Sequence, residues 1–318
     1  MKPYELLLLA GLLAGLAACP SSSDPSGGDD DDATEDVPQP APLAELSDGE
    51  CPELGSSGMS TFSSGGEDRL VGVFRPDGDT TDLPVLFFFH GLTTPGTDPV
   101  GNLASGLDLQ GLADDMPAII VAPEARPTPV PLAGNVLLWG ILDDGGVDLQ
   151  LYDDLRTCVV DELGADRRRV HAMGFSGGAL WTSRMIMERS DTLASAVEFS
   201  GGVELDIPLD GGPFLTYQTP AETIPVLLSA GGETDVWPGG GFALIDFVAA
   251  TDILQGGLRT DGHYVVRCDH SQGHTIVLDG WELGQRWVEE HFYGESSPFI
   301  DEGLGGDEAW CEVVGNGR

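Results

Sequence analysis

Residues 169–187, RVHAMGFSGGALWTSRMIM, decide the fold. The first five, with Val170 and Met173 among them, suit a short buried strand, and from residue 179 onward Leu180, Met185 and Met187 recur at helical spacing. Between the two lies GFSGG, with Ser176 at its centre. A serine at so sharp a strand-to-helix turn must take a strained backbone, which works only where its neighbours have almost no side chain. Gly174, Gly177 and Gly178 meet that need. The strain pushes the hydroxyl into the open. It also leaves the Gly177 amide free in the first turn of the helix, where unpaired N–H groups and the helix dipole favour negative charge developing on an oxygen. With 45 glycines in the chain, the bare pentapeptide would carry little. The strand before it and the helix after it give it meaning.

Working outward, residues 69–74, 83–89 and 118–122 are predicted strands upstream. The second is a nearly continuous apolar run, as expected of a strand buried on both faces. Residues 102–115 are weakly helical and 149–163 helical by spacing. Residues 127–148, with several prolines and glycines and Trp139, read as an irregular excursion near the mouth of a site. Downstream, residues 194–199, 225–230 and 263–267 are predicted strands and 281–292 a final helix. This alternation predicts an α/β domain with a doubly wound, mostly parallel sheet, on which ligands sit at the carboxyl ends of the strands. The glycine pairs do not have the spacing of a phosphate cradle, and the cysteines and histidines lack zinc spacing, so neither a cofactor nor a metal is expected.

A serine hydroxyl is a poor nucleophile until a base takes its proton, and that base needs a carboxylate to orient it. Four histidines follow Ser176. His263 begins a predicted strand and His291 lies in the last helix, where packing roles are expected. His274, in CDHSQGHT after the last predicted strand, is the favoured base, because Gly273 lets the backbone turn it inward; His270 is its alternative. In GGETDVWP, past the strand at 225–230, Asp235 is the favoured acid and Glu233 its substitute. FFFHG ends the early buried strand. His90 and Gly91 there precede Leu92, whose amide is the expected second donor to an oxyanion, and His90 itself is expected to be structural.

The series FFFHG, a tryptophan-bearing loop, RRRVHAMGFSGGA, GGETDVWP and GHT resembles the α/β-hydrolase superfamily, in particular the secreted polyhydroxybutyrate depolymerase and feruloyl esterase group, over residues 66 to 293. The resemblance implies an α/β-hydrolase fold and a serine ester hydrolase: Ser176 as nucleophile, His274 as base, Asp235 as its orienter, Gly177 and Leu92 as oxyanion donors, and a small-molecule or polymeric ester as substrate. A catalytically silent, surface-anchored binding protein and a serine peptidase on the same fold are the alternatives.

The ends carry other signals. Residues 1–18 read as a signal peptide with one lysine and an apolar run, and Leu16-Ala17-Ala18-Cys19 resembles the lipobox of bacterial lipoproteins, in which Cys19 would be acylated. That implies a membrane partner through the N-terminal lipid and a place in the cell envelope outside the cytoplasm. Residues 19–50, with ten acidic residues after Cys19 and no basic one, are expected to form a disordered tether, leaving 51–318 as the hydrolase domain. A net charge of −39 disfavours nucleic acid as a partner. Cys51, Cys158, Cys268 and Cys311 remain, enough for two disulfides in an oxidising compartment, in any of three pairings. Cys51 with Cys311 would staple the ends of the domain.

Overall fold

The apolar runs become the middle strands of one sheet. The computed structural model describes residues 37–48, 50–52, 54, 56–130, 134–207, 212–238 and 243–317. The chain begins with β1 (Gly58–Ser64), β2 (Glu67–Phe74) and β3 (Val85–Phe89), then α1 (Pro99–Gly106), α2 (Leu109–Asp115) and β4 (Ile119–Pro123). A short antiparallel pair, β5 (Pro127–Val130) and β6 (Gly134–Leu137), leads to the long helix α3 (Gly146–Leu163). Strand β7 (Val170–Phe175), helix α4 (Gly177–Arg189) and strands β8 (Ser195–Phe199) and β9 (Val226–Ala230) form the centre. The rest comprises β10 (Val236–Trp237), β11 (Ile245–Asp246), α5 (Phe247–Thr260), β12 (Tyr264–Asp269), α6 (Leu278–Glu290), α7 (Phe299–Glu302) and β13 (Cys311–Asn316).

The main sheet has nine strands in the order β1-β2-β4-β3-β7-β8-β9-β12-β13. From β4 to β12 all neighbours are parallel, while β1, β2 and β13 add antiparallel pairings at the two edges. The chain runs from β3 out to β4, then returns to the other side of β3 as β7. That reversal opens a crevice at the carboxyl ends of β3 and β7, where open α/β sheets bind ligands. Alternate residues of β3 point into two separate cores: Val85, Phe87 and Phe89 belong to one with residues of α3, α4 and α5, and Leu86 and Phe88 to another with residues of α1, α2 and α6. This is why the run is apolar without alternation.

Several elements differ from the sequence expectation. Strands β1 and β13 lie on sheet edges and carry mixed, partly exposed residues, so no apolar run announces them. The helix expected over 102–115 is two helices, because Asp98 and Asp108 each take the left-handed conformation and cap a separate start by accepting from Gly101 and Gly111 amides. Helix α5 was hidden by its β-branched residues and a glycine pair. Gly257 is needed there, since a Cβ would come within 2.4 Å of the Tyr217 ring.

Of the three possible pairings, the one that would staple the domain's ends, Cys51 with Cys311, is not made. Cys311 starts β13 directly opposite Cys268 of β12, and these two are bonded; Cys51 is bonded to Cys158 of α3. The antiparallel return of β13 decides this, and a one-dimensional pattern of cysteines does not contain it. The expected signal peptide at 1–18, Cys19 and expected tether residues up to 36 lie outside the described residues. The later part of the expected tether does not hang free. The Ala41 amide donates to Asp191 O at 2.8 Å, Arg156 donates to Ala41 O at 2.7 Å, and Thr157 to Ala44 O at 3.0 Å. The strap thus lies along α3, whose Cys158 then receives Cys51.

Candidate active site

Five loops leave the carboxyl ends of β3, β7, β8, β9 and β12 and converge. Ser176 follows β7 with φ 57° and ψ −123°, a conformation that costs on the order of 1–3 kcal/mol and is held only by its surroundings. Its N–H donates to Phe199 O at 2.9 Å, and its carbonyl takes the Leu180 amide at 2.9 Å. The flanking glycines are required by close approach: a Cβ on Gly178 would lie 2.0 Å from Phe89 O, and one on Gly174 would lie 2.3 Å from Gly178 O. These contacts draw the elbow onto the end of β3.

The loop after β3 is braced for its part. His90 donates from Nδ1 to Gly91 O at 2.7 Å and accepts the Ala125 amide on Nε2 at 2.9 Å. Burial pushes its imidazole down to about 4, so it is neutral and structural. Trp139, expected near the mouth of the site, is instead buried beneath it. Its indole donates to His90 O at 2.9 Å and stacks on Trp181 of α4 at 5.9 Å. The Leu92 amide therefore sits beside the elbow, 2.9 Å from where a Cβ on Gly177 would be. Among the described residues it has no protein acceptor, and Gly177 holds the first position of α4, where the amide has no partner within the helix.

The structure brings His274 and Asp235 to Ser176. His274 Nε2 lies 2.8 Å from Ser176 Oγ, and its Nδ1 lies 2.7 Å from Asp235 Oδ1. The carboxylate fixes the tautomer: Nδ1–H donates to Asp235, which leaves Nε2 to accept from the serine. Burial alone would raise the Asp235 carboxyl. Hydrogen bonds from His274, the Gly231 amide at 2.7 Å and the Ser200 hydroxyl at 2.9 Å outweigh it and hold the group below the usual carboxylate range. Gly273, at φ 77°, turns the histidine loop inward and donates its amide to Gly231 O at 2.8 Å, joining it to the acid loop. The alternatives are not brought in. Glu233 is exposed, and half-buried His270 accepts the Gln272 amide on Nδ1. His263 and His291 are buried and bonded to Ile224 and to Trp287 and Ser297.

Sequence reasoning missed the groups around this array. Phe175 and Phe247 stack on His274 with ring centroids 4.8 and 4.4 Å away. Phe175 is the variable residue of GFSGG, and Phe247 begins α5, so nothing in the sequence marked either. Ser200, the second side-chain donor to Asp235, lies just past β8 in a loop with no motif. The arrangement can move a proton between a hydroxyl and an imidazole that a buried carboxylate orients, next to two amides able to receive an oxyanion.

The reversed strand order, the elbow and the carboxyl-edge loops together are the α/β-hydrolase fold. Solved structures of that form are similar to this chain. The DMSO complex of a pOPH variant is 21% identical, with a TM-score of 0.65, covering 83% of this chain and 96% of that one. Native sOPH is 19% identical at a TM-score of 0.62, covering 83% and 96%. A thermostable esterase is 18% identical at a TM-score of 0.50, covering 75% and 64%. At such identities the likeness is one of fold. Compared as a sequence, the chain matches no family model and no curated protein.

Proposed function

We propose that the protein is a serine carboxylic-ester hydrolase that works through an acyl-enzyme. The observation that carries this reading is the hydrogen-bonded series Asp235, His274, Ser176 beside the Leu92 and Gly177 amides. Ser176 Oγ attacks the ester carbonyl while His274 Nε2 takes its proton. The imidazolium is stabilised by Asp235, and the tetrahedral oxyanion is received by the two amides. His274 then gives the proton to the leaving alcohol. Water, activated by the same imidazole, attacks the acyl-enzyme and releases the acid and free Ser176.

Within esterases, we propose the polyhydroxybutyrate depolymerase and feruloyl esterase group, which the motif series resembles. We further propose an extracytoplasmic enzyme, exported by residues 1–18 and lipid-anchored at Cys19. Two disulfides fit an oxidising compartment. Among the described residues no helix is long and apolar enough to cross a membrane.

The testing experiment is hydrolysis of p-nitrophenyl esters of increasing acyl length by the soluble domain, beside Ser176→Ala and His274→Ala. Turnover by the wild type alone supports the reading, and the chain-length profile sizes the acyl pocket. A folded wild type inert on every ester, hydroxybutyrate oligomers and feruloyl esters included, would sink it. Incorporation of a labelled fatty acid, lost in Cys19→Ala, tests the anchor.

A further inference from the structure

Behind the site lies a carboxyl group that the proposed reaction does not use. Glu198 is on β8, one residue before Phe199, whose carbonyl holds the Ser176 amide, and two before Ser200, whose hydroxyl donates to Asp235. It is 1% exposed. Its Oε1 lies 2.8 Å from Ser183 Oγ of α4, and its Oε2 has no hydrogen-bond partner. Ser183 Oγ is the hub of this knot. It also lies 2.9 Å from Gly202 O and 3.3 Å from Ala179 O, and it accepts the Gly202 amide at 3.2 Å.

Proton counting decides the state of this group. A hydroxyl has one proton and two lone pairs. With Glu198 ionised, the carboxylate and Gly202 O compete for the single Ser183 proton, and one of two buried acceptors goes without that donor. A neutral Glu198 removes the conflict. Its O–H donates to Ser183, the second lone pair of Ser183 takes the Gly202 amide, and the Ser183 proton goes to Gly202 O. Oε2 is then an uncharged carbonyl oxygen. As half of a carboxylate it would be a buried charge without a partner, pressed by Gly201, where an added Cβ would fall 2.2 Å away.

Beyond the Ser183 hydroxyl and the Gly202 amide, the surroundings offer the anion no help. Ser183 faces it from α4, Gly201 and Gly202 from the following turn, and Gly174 and Leu228 flank it in β7 and β9. From α5, Thr251 reaches the same turn by donating to Gly201 O at 3.1 Å. None of these is charged. The ionisable group that the network reaches is Asp235, through Ser200.

We propose that Glu198 is a positioning residue that works as a neutral acid, pinning the turn at 200–202 to α4 so that Ser200 stays on Asp235 and Phe199 on Ser176. The functional part rests on the Ser176–His274–Asp235 reading; the protonation part does not. Burial pushes the carboxyl up to about 8, against the lowering by the Ser183 hydroxyl and the Gly202 amide. Above that point the anion draws the Ser183 proton from Gly202 O and loosens the turn.

The test compares wild type with Glu198→Gln, which keeps an N–H donor for Ser183 and cannot ionise, and with Ser183→Ala, which removes the hub. Two curves are measured from pH 4.5 to 9.5: kcat/KM on a neutral p-nitrophenyl ester, and Tm. Wild-type kcat/KM is expected to fall about tenfold per pH unit beyond the ionisation. Glu198→Gln retains neutral-pH activity and lacks that limb, whereas Ser183→Ala is impaired across the range. For Tm, a folded-state value raised from 4.5 to about 8 means stability that is present below 4.5 and lost as pH rises through 8. Wild-type Tm should therefore fall relative to Glu198→Gln across that window. Superimposed kcat/KM profiles, or Glu198→Gln inactive at every pH, would overturn the positioning role. Parallel Tm curves would overturn the neutral acid, and that arm decides even where wild type turns over no ester.

Discussion

Two of the serine–histidine contacts, of nearly equal length, lie at opposite ends of β7. Ser176 Oγ and His274 Nε2 are 2.8 Å apart at the carboxyl edge, while Ser195 Oγ and His171 Nδ1 are 2.9 Å apart near the amino ends of β8 and β7. The second pair sits at matched positions in the sheet, is fully buried, and has a His171 Nε2 without a partner. Burial, then the nearby His291 and Arg169, hold His171 well below its ordinary value. At the first pair the imidazole side chain is 21% exposed, a carboxylate holds its far nitrogen, and the serine is strained out of a strand toward free amides. A hydroxyl–imidazole contact is therefore a packing feature unless an orienting carboxylate, access to substrate and oxyanion donors come with it.

The largest expected effect separates the two pairs directly. Ser176→Ala or His274→Ala should lower kcat on an ester by about 10⁶-fold, while Ser195→Ala leaves kcat near wild type at 25 °C; an equal loss from Ser195→Ala would break the comparison. Asp235→Asn comes next, at about 10⁴-fold, because the amide favours the wrong tautomer of His274; pre-steady-state acylation rates would read it, and a loss under tenfold would remove the carboxylate from the argument.

The buried histidines predict an acid limb of stability. His90 and His291 are pushed by burial to about 4 from an ordinary 6.5, so their contribution is fully present above 6.5 and is lost as pH falls toward 4. Each amounts to roughly 3 kcal/mol. Urea unfolding of Glu198→Gln, which lacks the opposing gain expected of Glu198, should show the decline at pH 7, 5.5 and 4, and a flat profile would contradict it. The smallest effect is the stability cost of Ser195→Ala, about 1–3 kcal/mol, since it leaves the buried His171 ring without its partner. Urea midpoints at pH 7 would measure it, and an unchanged midpoint would mean the second pair holds nothing together.

The residues of the candidate site that could be read in advance share one property: each lies a few residues past an apolar run, next to a glycine that the turn requires. Ser176 follows Gly174, His274 follows Gly273, and Asp235 follows the pair Gly231 and Gly232. Local rules reach that far. They do not reach Phe247 or Ser200, which approach the site only because α5 and the turn after β8 pack there. Nor do they reach Glu198, which in sequence is one acidic residue among 53 aspartates and glutamates.

The sequence by itself determined the main alternation of strands and helices and the glycine-flanked turn at Ser176, because backbone strain, glycine and apolar periodicity act over a few residues. Tertiary structure alone decided the disulfide partners, the strap along α3, the aromatic rings on His274 and which serine–histidine contact has a carboxylate behind it. Each of these depends on which distant segments are brought side by side, and strand order settles that.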